Sequence, residues 1–255
     1  MAAIDALVAL FVLATLRYLP VVVLPGMSPL RWAPPLVRIM LLLGLAWMTV
    51  LAMPQENASS AWKQPLAFAL AGLGELMLGL TFGLAILIPQ GALHSAGWLA
   101  DTQAGLSAAN LFDPGGQPDT ESLLGSALLL AATVLFFTLD LHQQLFRMLV
   151  ASTQALPLGR LSLRLEPEAF FGLLSSSFLL ALMVVAPVLI GLLAVDIGVA
   201  YATRSMPQAN VYFLVLPLKI AVALLLMAAT LPFFPALIGR LFRDALSRVP
   251  SLLGA

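Results

Sequence analysis

The chain has no cysteine, two histidines and very little charge: 12 Lys and Arg against 12 Asp and Glu in 255 residues. Each shortage excludes something. Without cysteine there is neither a disulfide framework nor a thiolate metal site. A formal net charge of zero lacks the clustered Lys and Arg that phosphate binding needs, which argues against nucleic acid as a partner. His94 and His142 are the only imidazoles. His-Glu-x-x-His, Gly-x-Ser-x-Gly and Walker sequences are missing, so the chain is not expected to be an enzyme, and no cofactor or metal is expected. No internal repeat, Ser/Gly-rich linker or charge block divides it, and one domain over 1–255 is expected.

What is present is grease. Hydrophobic residues make up 61% of the chain and the mean hydropathy is +1.03. A soluble domain is about half apolar and a quarter charged. With 9% charged residues this chain cannot cover a water-facing surface, so its solvent must be lipid or other protein. A helix crossing ~30 Å of hydrocarbon needs about 20 mostly apolar residues. That ruler predicts an all-α polytopic membrane protein with six long segments at roughly 4–24, 36–53, 65–93, 122–150, 170–200 and 211–238. Pro89, Asp140, Pro187 and Pro217 are expected to interrupt the last four. Breaks at membrane depth need protein or a water-filled cavity to satisfy the freed backbone groups, so the chain is expected to need protein neighbours. The first segment begins "MAAIDALVALF", with Asp5 where a signal peptide has a basic region, and reads as a retained helix. With the N-terminus inside, Lys63, Arg147, Arg160, Arg164, Arg240, Arg243 and Arg248 fall on the cytoplasmic side. Arg31, Arg38 and Arg204 face them across the membrane, which suits the positive-inside rule.

Six ionisable groups lie in or beside the apolar runs: Glu75, Asp140, His142, Arg147, Asp196 and Lys219. Each costs roughly 2.5–3.5 kcal/mol or more facing lipid at mid-bilayer, so each must face protein, water or an interface. They could form a proton relay, or, as the blander reading has it, pair with partner subunits or lie near helix ends. Gly79 and Gly83 follow Glu75 on one helical face, a small-xxx-small stripe for close helix approach. Asp140, Gln143, Gln144 and Arg147 share another face, with either Gln able to bridge Asp140 to Arg147. Asp196 and Lys219 flank the Arg204-to-Pro207 hairpin at distances that allow them to pair. The end of the chain, 237–250, reads as a basic amphipathic helix for a membrane surface or a partner, with Leu237, Leu241, Leu246 and Val249 opposite the arginines.

The long connection at 94–121 contains "GLSAANLFDPGG" (105–116), a run of small and turn-forming residues. Asp119 or Thr120 is expected to cap the next helix. Four blocks in order carry a family resemblance: "GELMLGLTFGLAI" (74–86), "GLSAANLFDPGG", "LFFTLDLHQQLFRMLVASTQALPLG" (135–159) and "DIGVAYATRSMPQANVYFLVLPLKI" (196–220). Together, over about residues 10–238, they resemble the FliR family of flagellar biosynthetic proteins and its injectisome counterpart, the T subunit of type III secretion. The most specific parts are Arg204-x-x-Pro207-Gln208-x-Asn210-Val211, Pro217-Leu218-Lys219 and Asp113-Pro114. Asp140-Leu141-His142 departs from the family's usual Asp-Gly-His.

The resemblance implies a non-enzymatic pore subunit without a cofactor. Such subunits co-assemble with P and Q subunits (FliP and FliQ type) in a helical export gate, beside the B and A subunits (FlhB and FlhA type). The gate sits in the inner membrane within the basal body and passes unfolded secreted proteins. It further implies that Gly105, Leu106, Ser107, Ala108, Ala109, Asn110, Leu111, Phe112, Asp113, Pro114, Gly115 and Gly116 form a loop plugging the closed lumen. Assembly contacts are expected at Glu75, Gly79, Gly83, Asp140, Arg147, Asp196, Arg204, Pro207, Gln208, Asn210 and Lys219. The injectisome T subunit is the alternative reading. A proton-coupled transporter using Glu75, Asp140, Asp196 and Lys219 is a more distant one, disfavoured by the missing repeat.

Overall fold

The structure, a computed structural model, describes residues 2–24, 33–52, 64–106, 122–159, 166–205 and 211–252. Among these residues there are helices and turns and no strand. Helices α1 (Ala2–Val22), α2 (Pro35–Ala52), α3 (Pro65–Ala104), α4 (Leu123–Thr138) and α5 (Leu141–Ala155) are followed by α6 (Pro167–Ser205) and α7 (Val211–Thr230). A 3₁₀ turn at Leu231–Phe233 leads into α8 (Phe234–Ser247) and the short α9 (Val249–Leu252). Proline opens α2, α3 and α6, where its missing N–H would have had no intrahelical partner and its φ is already helical.

Five helical stretches are long and apolar enough to cross a membrane, and α4 with α5 makes a sixth if that bent pair is one span. Outward positions such as Leu36, Met40 and Met48 on α2, or Ile190, Ile197 and Tyr201 on α6, are exposed. Apolar surface on that scale is untenable in water, and the chain is a multi-pass membrane protein.

Three of the four expected interruptions are absent. α3, α6 and α7 run straight through Pro89, Pro187 and Pro217. A proline removes one backbone hydrogen bond but keeps a helical φ, and a long helix carries that single loss. Only Asp140 ends a helix. It sits in the left-handed region at φ 55°, and α4 and α5 meet there at 67°. The third segment also runs longer than expected, because α3 continues through 94–104 to Ala104. "HSAGWLADTQA" contains Ala, Leu and Gln, which favour helix, and the helix stops at Gly105 with φ 82°. Its N–H bonds Thr102 O at 3.2 Å, a left-handed glycine C-terminus.

The chain forms two compact units: Met1–Ile88 with Phe136–Leu174 and Phe242–Ala255, and Pro89–Leu135 with Ser175–Leu241. In the first, α1 and α2 form a hairpin. Arg38 near the start of α2 donates to Val23 O at 3.2 Å, just past the end of α1. Tyr18 and Thr49 share a 2.8 Å hydroxyl bond, and Phe11 meets Trp47 edge to face. Leu78, Phe82 and Ile86 of α3, Leu141, Leu145 and Leu149 of α5, and Phe242 of α8 are buried. Phe242 packs edge to face on Phe136 with ring centroids 5.2 Å apart. In the second unit Leu93, Ala96 and Ala100 of α3, Leu124 and Leu128 of α4, and Val184, Val188 and Leu192 of α6 are buried.

The carboxyl end is amphipathic, as the spacing predicts, but its apolar face is not left for lipid or a partner. Ile238, Leu241, Phe242, Ala245, Leu246 and Val249 are buried within the chain itself. Arg240 and Arg243 point outward, and Arg248 bonds Asp244 one turn back at 3.0 Å.

Candidate functional site

The polar groups gather at three places. The first, in the amino-terminal unit, is built around Arg17, which is 0% exposed. Its Nε donates to Glu75 Oε2 at 2.5 Å, Nη1 to Ser152 Oγ at 3.3 Å and Nη2 to Leu156 O at 2.9 Å. The other oxygen of Glu75 accepts the Gly159 N–H at 2.8 Å, and Gly159 takes a left-handed φ of 82°. One ion pair therefore ties α1, α3, the end of α5 and the turn after it. It can form because the backbones come close. A Cβ on Gly79 would collide with Arg17 O and the Pro20 ring, and one on Gly72 would meet Leu16 at 3.0 Å. Gly83, a turn further on, is buried. Glu75 is 2% exposed and both its oxygens are occupied. Removing one partner of such a buried pair typically costs about 3–5 kcal/mol, since the other charge is stranded without water.

The second place is the last turns of α3 in the other unit. Asp101 is buried; its Oδ2 accepts the Ser122 hydroxyl at 2.5 Å, and the carboxylate accepts the Leu124 N–H at 3.1–3.2 Å. Ser122 Oγ in turn accepts the Gly125 N–H at 2.8 Å. The start of α4 is thus capped by Ser122 assisted by Asp101; Asp119 and Thr120, expected in that role, lie outside the described residues. A carboxylate beside a helix N-terminus is favoured by the dipole and the free N–H groups. Gly97 and Gly125 touch backbone to backbone here, leaving no room for a side chain at either. Two residues beyond Asp101, the carbonyl of Gln103 accepts Lys219 Nζ at 3.3 Å. Lys219 also pairs with Asp196, so the two arms of the carboxyl-terminal hairpin carry a salt bridge. Arg204 is exposed near the end of α6. Pro207, Gln208 and Asn210 lie outside the described residues, as do Ser107 to Gly116 of the expected plug. Of that loop only Gly105 and Leu106 are described.

The third place is the bend at Asp140. Gln143 Nε2 bonds Asp140 Oδ1 at 3.0 Å. Among the described residues the expected bridge onward to Arg147 is not made; Asp140 is the left-handed N-cap of α5. Asp140, Gln143, Gln144 and Arg147 line a shallow groove of 470 Å³ with Met148 and Ala151. His142 lies off this face, its ring 5.2 Å from that of Phe137, and its buried Nδ1 has no hydrogen-bond partner among the described residues. No group of three or more His, Asp or Glu comes together among the described residues.

Arg17, Asp101, Gln103, Gly97 and Ser122 were not among the sequence candidates. Arg17 carries a signal that could have singled it out, a lone cation inside the first apolar segment. Its partner is 58 positions away, beyond any helical-spacing rule. Asp101 falls in what reads as a loop, and Ser122 at the very start of the fourth apolar segment.

A multi-pass helical membrane protein whose intramembrane charges are spent on joining its own helices is the class that fold and site define. The chain belongs to the bacterial export proteins, family 1, whose family model matches residues 8–245, and within it to the proteins similar to FliR. It is 26% identical over 193 residues to the flagellar biosynthetic protein FliR of Pectobacterium carotovorum subsp. carotovorum, covering 73% of each chain. The FliR of Aquifex aeolicus is 29% identical over 178 residues, covering 69% of this chain and 68% of its own. The Yop proteins translocation protein T of Yersinia pestis is 32% identical over 158 residues, covering 60% of this chain and 59% of its own.

Proposed function

We propose that this chain is a non-enzymatic subunit of a flagellar type III export gate in a bacterial inner membrane, within the basal body. Family membership makes it a type III export subunit associated with other export components. The finer reading adds co-assembly with P- and Q-type subunits, passage of unfolded proteins, and a plug formed by residues 105–116. Both compact units are read as one gate domain over 1–255, since α3, α4, α6 and α8 each contribute residues to both.

The observation that carries this reading is where the charges are. Glu75, the intramembrane acid a proton relay would most need, is sealed from water and saturated by Arg17 and Gly159. Asp101 is likewise consumed by a helix cap. A coupled transporter needs carboxylates that exchange protons with solvent; these hold helices together. The uncovered apolar faces of α2 and α6 then suit sister subunits around a conduit. The flagellar branch is favoured by the longer matches to FliR proteins than to the translocation protein T.

Co-expression with the P- and Q-type subunits tests the assembly. A tagged chain is expected to bring both down as one complex in mild detergent, whereas a monodisperse monomer that ignores them would remove the reading. Deleting the chain's gene is expected to abolish swimming. Motile cells that no longer secrete effectors would move it to the injectisome branch.

A further inference from the structure

The outward face of α5 carries two charges that nothing in the described chain answers. Arg147 is exposed and makes no ion pair among the described residues, whose salt bridges are Arg17–Glu75, Lys219–Asp196 and Arg248–Asp244. The carboxylate of Asp140, also exposed, bonds the neutral Gln143 amide and meets no cation among those residues. Two turns of helix hold the pair about 10 Å apart along the axis, too far for the acid to neutralise the base. In a membrane protein each then calls for a counter-charge from outside the chain.

The same face is grooved. The 470 Å³ hollow at Asp140, Gln143, Gln144 and Arg147 shares Met148 and Ala151 with a second hollow of 190 Å³ further along α5. Phe82 of α3, Ala155 and Leu156, and Val249 and Pro250 line this second part. The Ser152 hydroxyl on its wall is already taken by Arg17 and the Leu149 carbonyl. The groove thus reads, in order, acid, amides, cation and hydrocarbon.

We infer that this groove is a binding site for one phosphatidylethanolamine molecule. Its ammonium meets Asp140, its phosphate meets Arg147, and an acyl chain lies past Met148 and Ala151 in the apolar hollow. The order of groups along the lipid is the order of side chains along the helix. A guanidinium suits phosphate because its planar fork can give two parallel bonds. A primary ammonium has three N–H donors for a carboxylate and the Gln oxygens. A choline head has none, and a glycerol head brings no positive charge to Asp140. The placement of α5 fits as well. At 15 residues it is too short to span hydrocarbon alone, and it turns 67° away from the apolar α4. Its apolar face, Leu141, Leu145 and Leu149, is buried, which leaves the polar face for headgroups, as on a helix lying at a membrane surface. This site does not depend on the proposed gate.

Native mass spectrometry on the full chain in mild detergent tests this, with dioleoyl phosphatidylethanolamine, phosphatidylcholine and phosphatidylglycerol offered in turn. One phosphatidylethanolamine is expected to stay bound, retained several-fold better than either of the others. Asp140→Asn keeps an acceptor for Gln143 and a residue that tolerates the left-handed φ. It should erase the preference over phosphatidylcholine and raise retention of phosphatidylglycerol. Arg147→Gln should lower retention of all three several-fold, and Arg147→Lys should restore much of it. Ala151→Phe, which narrows the neck between the two hollows, should weaken all three alike and leave the order of preference unchanged. Equal retention of the three lipids by the unaltered chain, or an unchanged preference in Asp140→Asn, overturns the headgroup assignment. Unchanged retention in Arg147→Gln or in Ala151→Phe overturns the site. Loss of the lipid when the chain is co-purified with other export components would give this face to a protein partner and overturn the site too.

Discussion

Two ion pairs of the same chemistry stand in this chain, and their surroundings make them different devices. Arg17 and Glu75 are sealed from solvent and each bonds further groups: Ser152 and the Leu156 carbonyl on one side, the Gly159 N–H on the other. Lys219 and Asp196 are partly solvated, and Lys219 also donates to the Gln103 carbonyl. A charge in a low-dielectric interior either keeps every partner or strands one at a cost of several kcal/mol. A charge touched by water trades partners cheaply. The first pair is thus part of the scaffold, and the second can open and close.

Truncation should separate the two most sharply. Arg17→Ala or Glu75→Ala is expected to destabilise the protein by about 3–5 kcal/mol, read as a large drop in thermal midpoint in detergent. Replacing both by Leu should recover only part, since the Leu156 carbonyl and the Gly159 N–H stay unpaired. A smaller loss, about 1–3 kcal/mol, is expected from Gly79→Val, which pushes α3 off the Arg17 carbonyl by overpacking the seam. The same measurement on Lys219→Ala should show a loss of under about 1 kcal/mol. A loss there as large as at Arg17 would erase the distinction between the pairs. Asp140→Gly should move stability the other way, up by as much as about 1 kcal/mol, because glycine takes a left-handed φ without strain. A drop in its thermal midpoint would mean that the Gln143 bond outweighs that strain.

Much of this was legible beforehand, for reasons that differ by residue. The six apolar segments could be read because length and hydropathy are local properties. The bend at Asp140 falls where the sequence places a break, although Arg17, Glu75, Asp196 and Lys219, charged residues in apolar runs too, leave their helices continuous. Gly79 was legible as a close-approach site, since small-residue spacing directly reports backbone distance. The prolines misled: Pro89, Pro187 and Pro217 look like breaks in sequence, yet each costs one hydrogen bond in helices that are otherwise intact. The end of α3 is hard to read because Asp101 and Thr102 look like loop residues. Asp101 is held by Ser122, 21 positions on, and Thr102 bonds the Leu99 carbonyl of its own helix. Arg17 was overlooked because a long-range ion pair leaves no periodic trace. Its meaning appears only when α1 lies against α3.

Charge exchange tests the central distinction most directly. Arg17→Glu with Glu75→Arg, and separately Lys219→Asp with Asp196→Lys, would each be made in the full chain and scored by the yield of folded, complex-bound protein. Exchange at 196 and 219 should retain that yield, because water accommodates either polarity. Exchange at 17 and 75 should abolish it, because a carboxylate at 17 would face the Leu156 carbonyl and a guanidinium at 75 would face the Gly159 N–H. Recovery at 17 and 75 with failure at 196 and 219 would contradict the account.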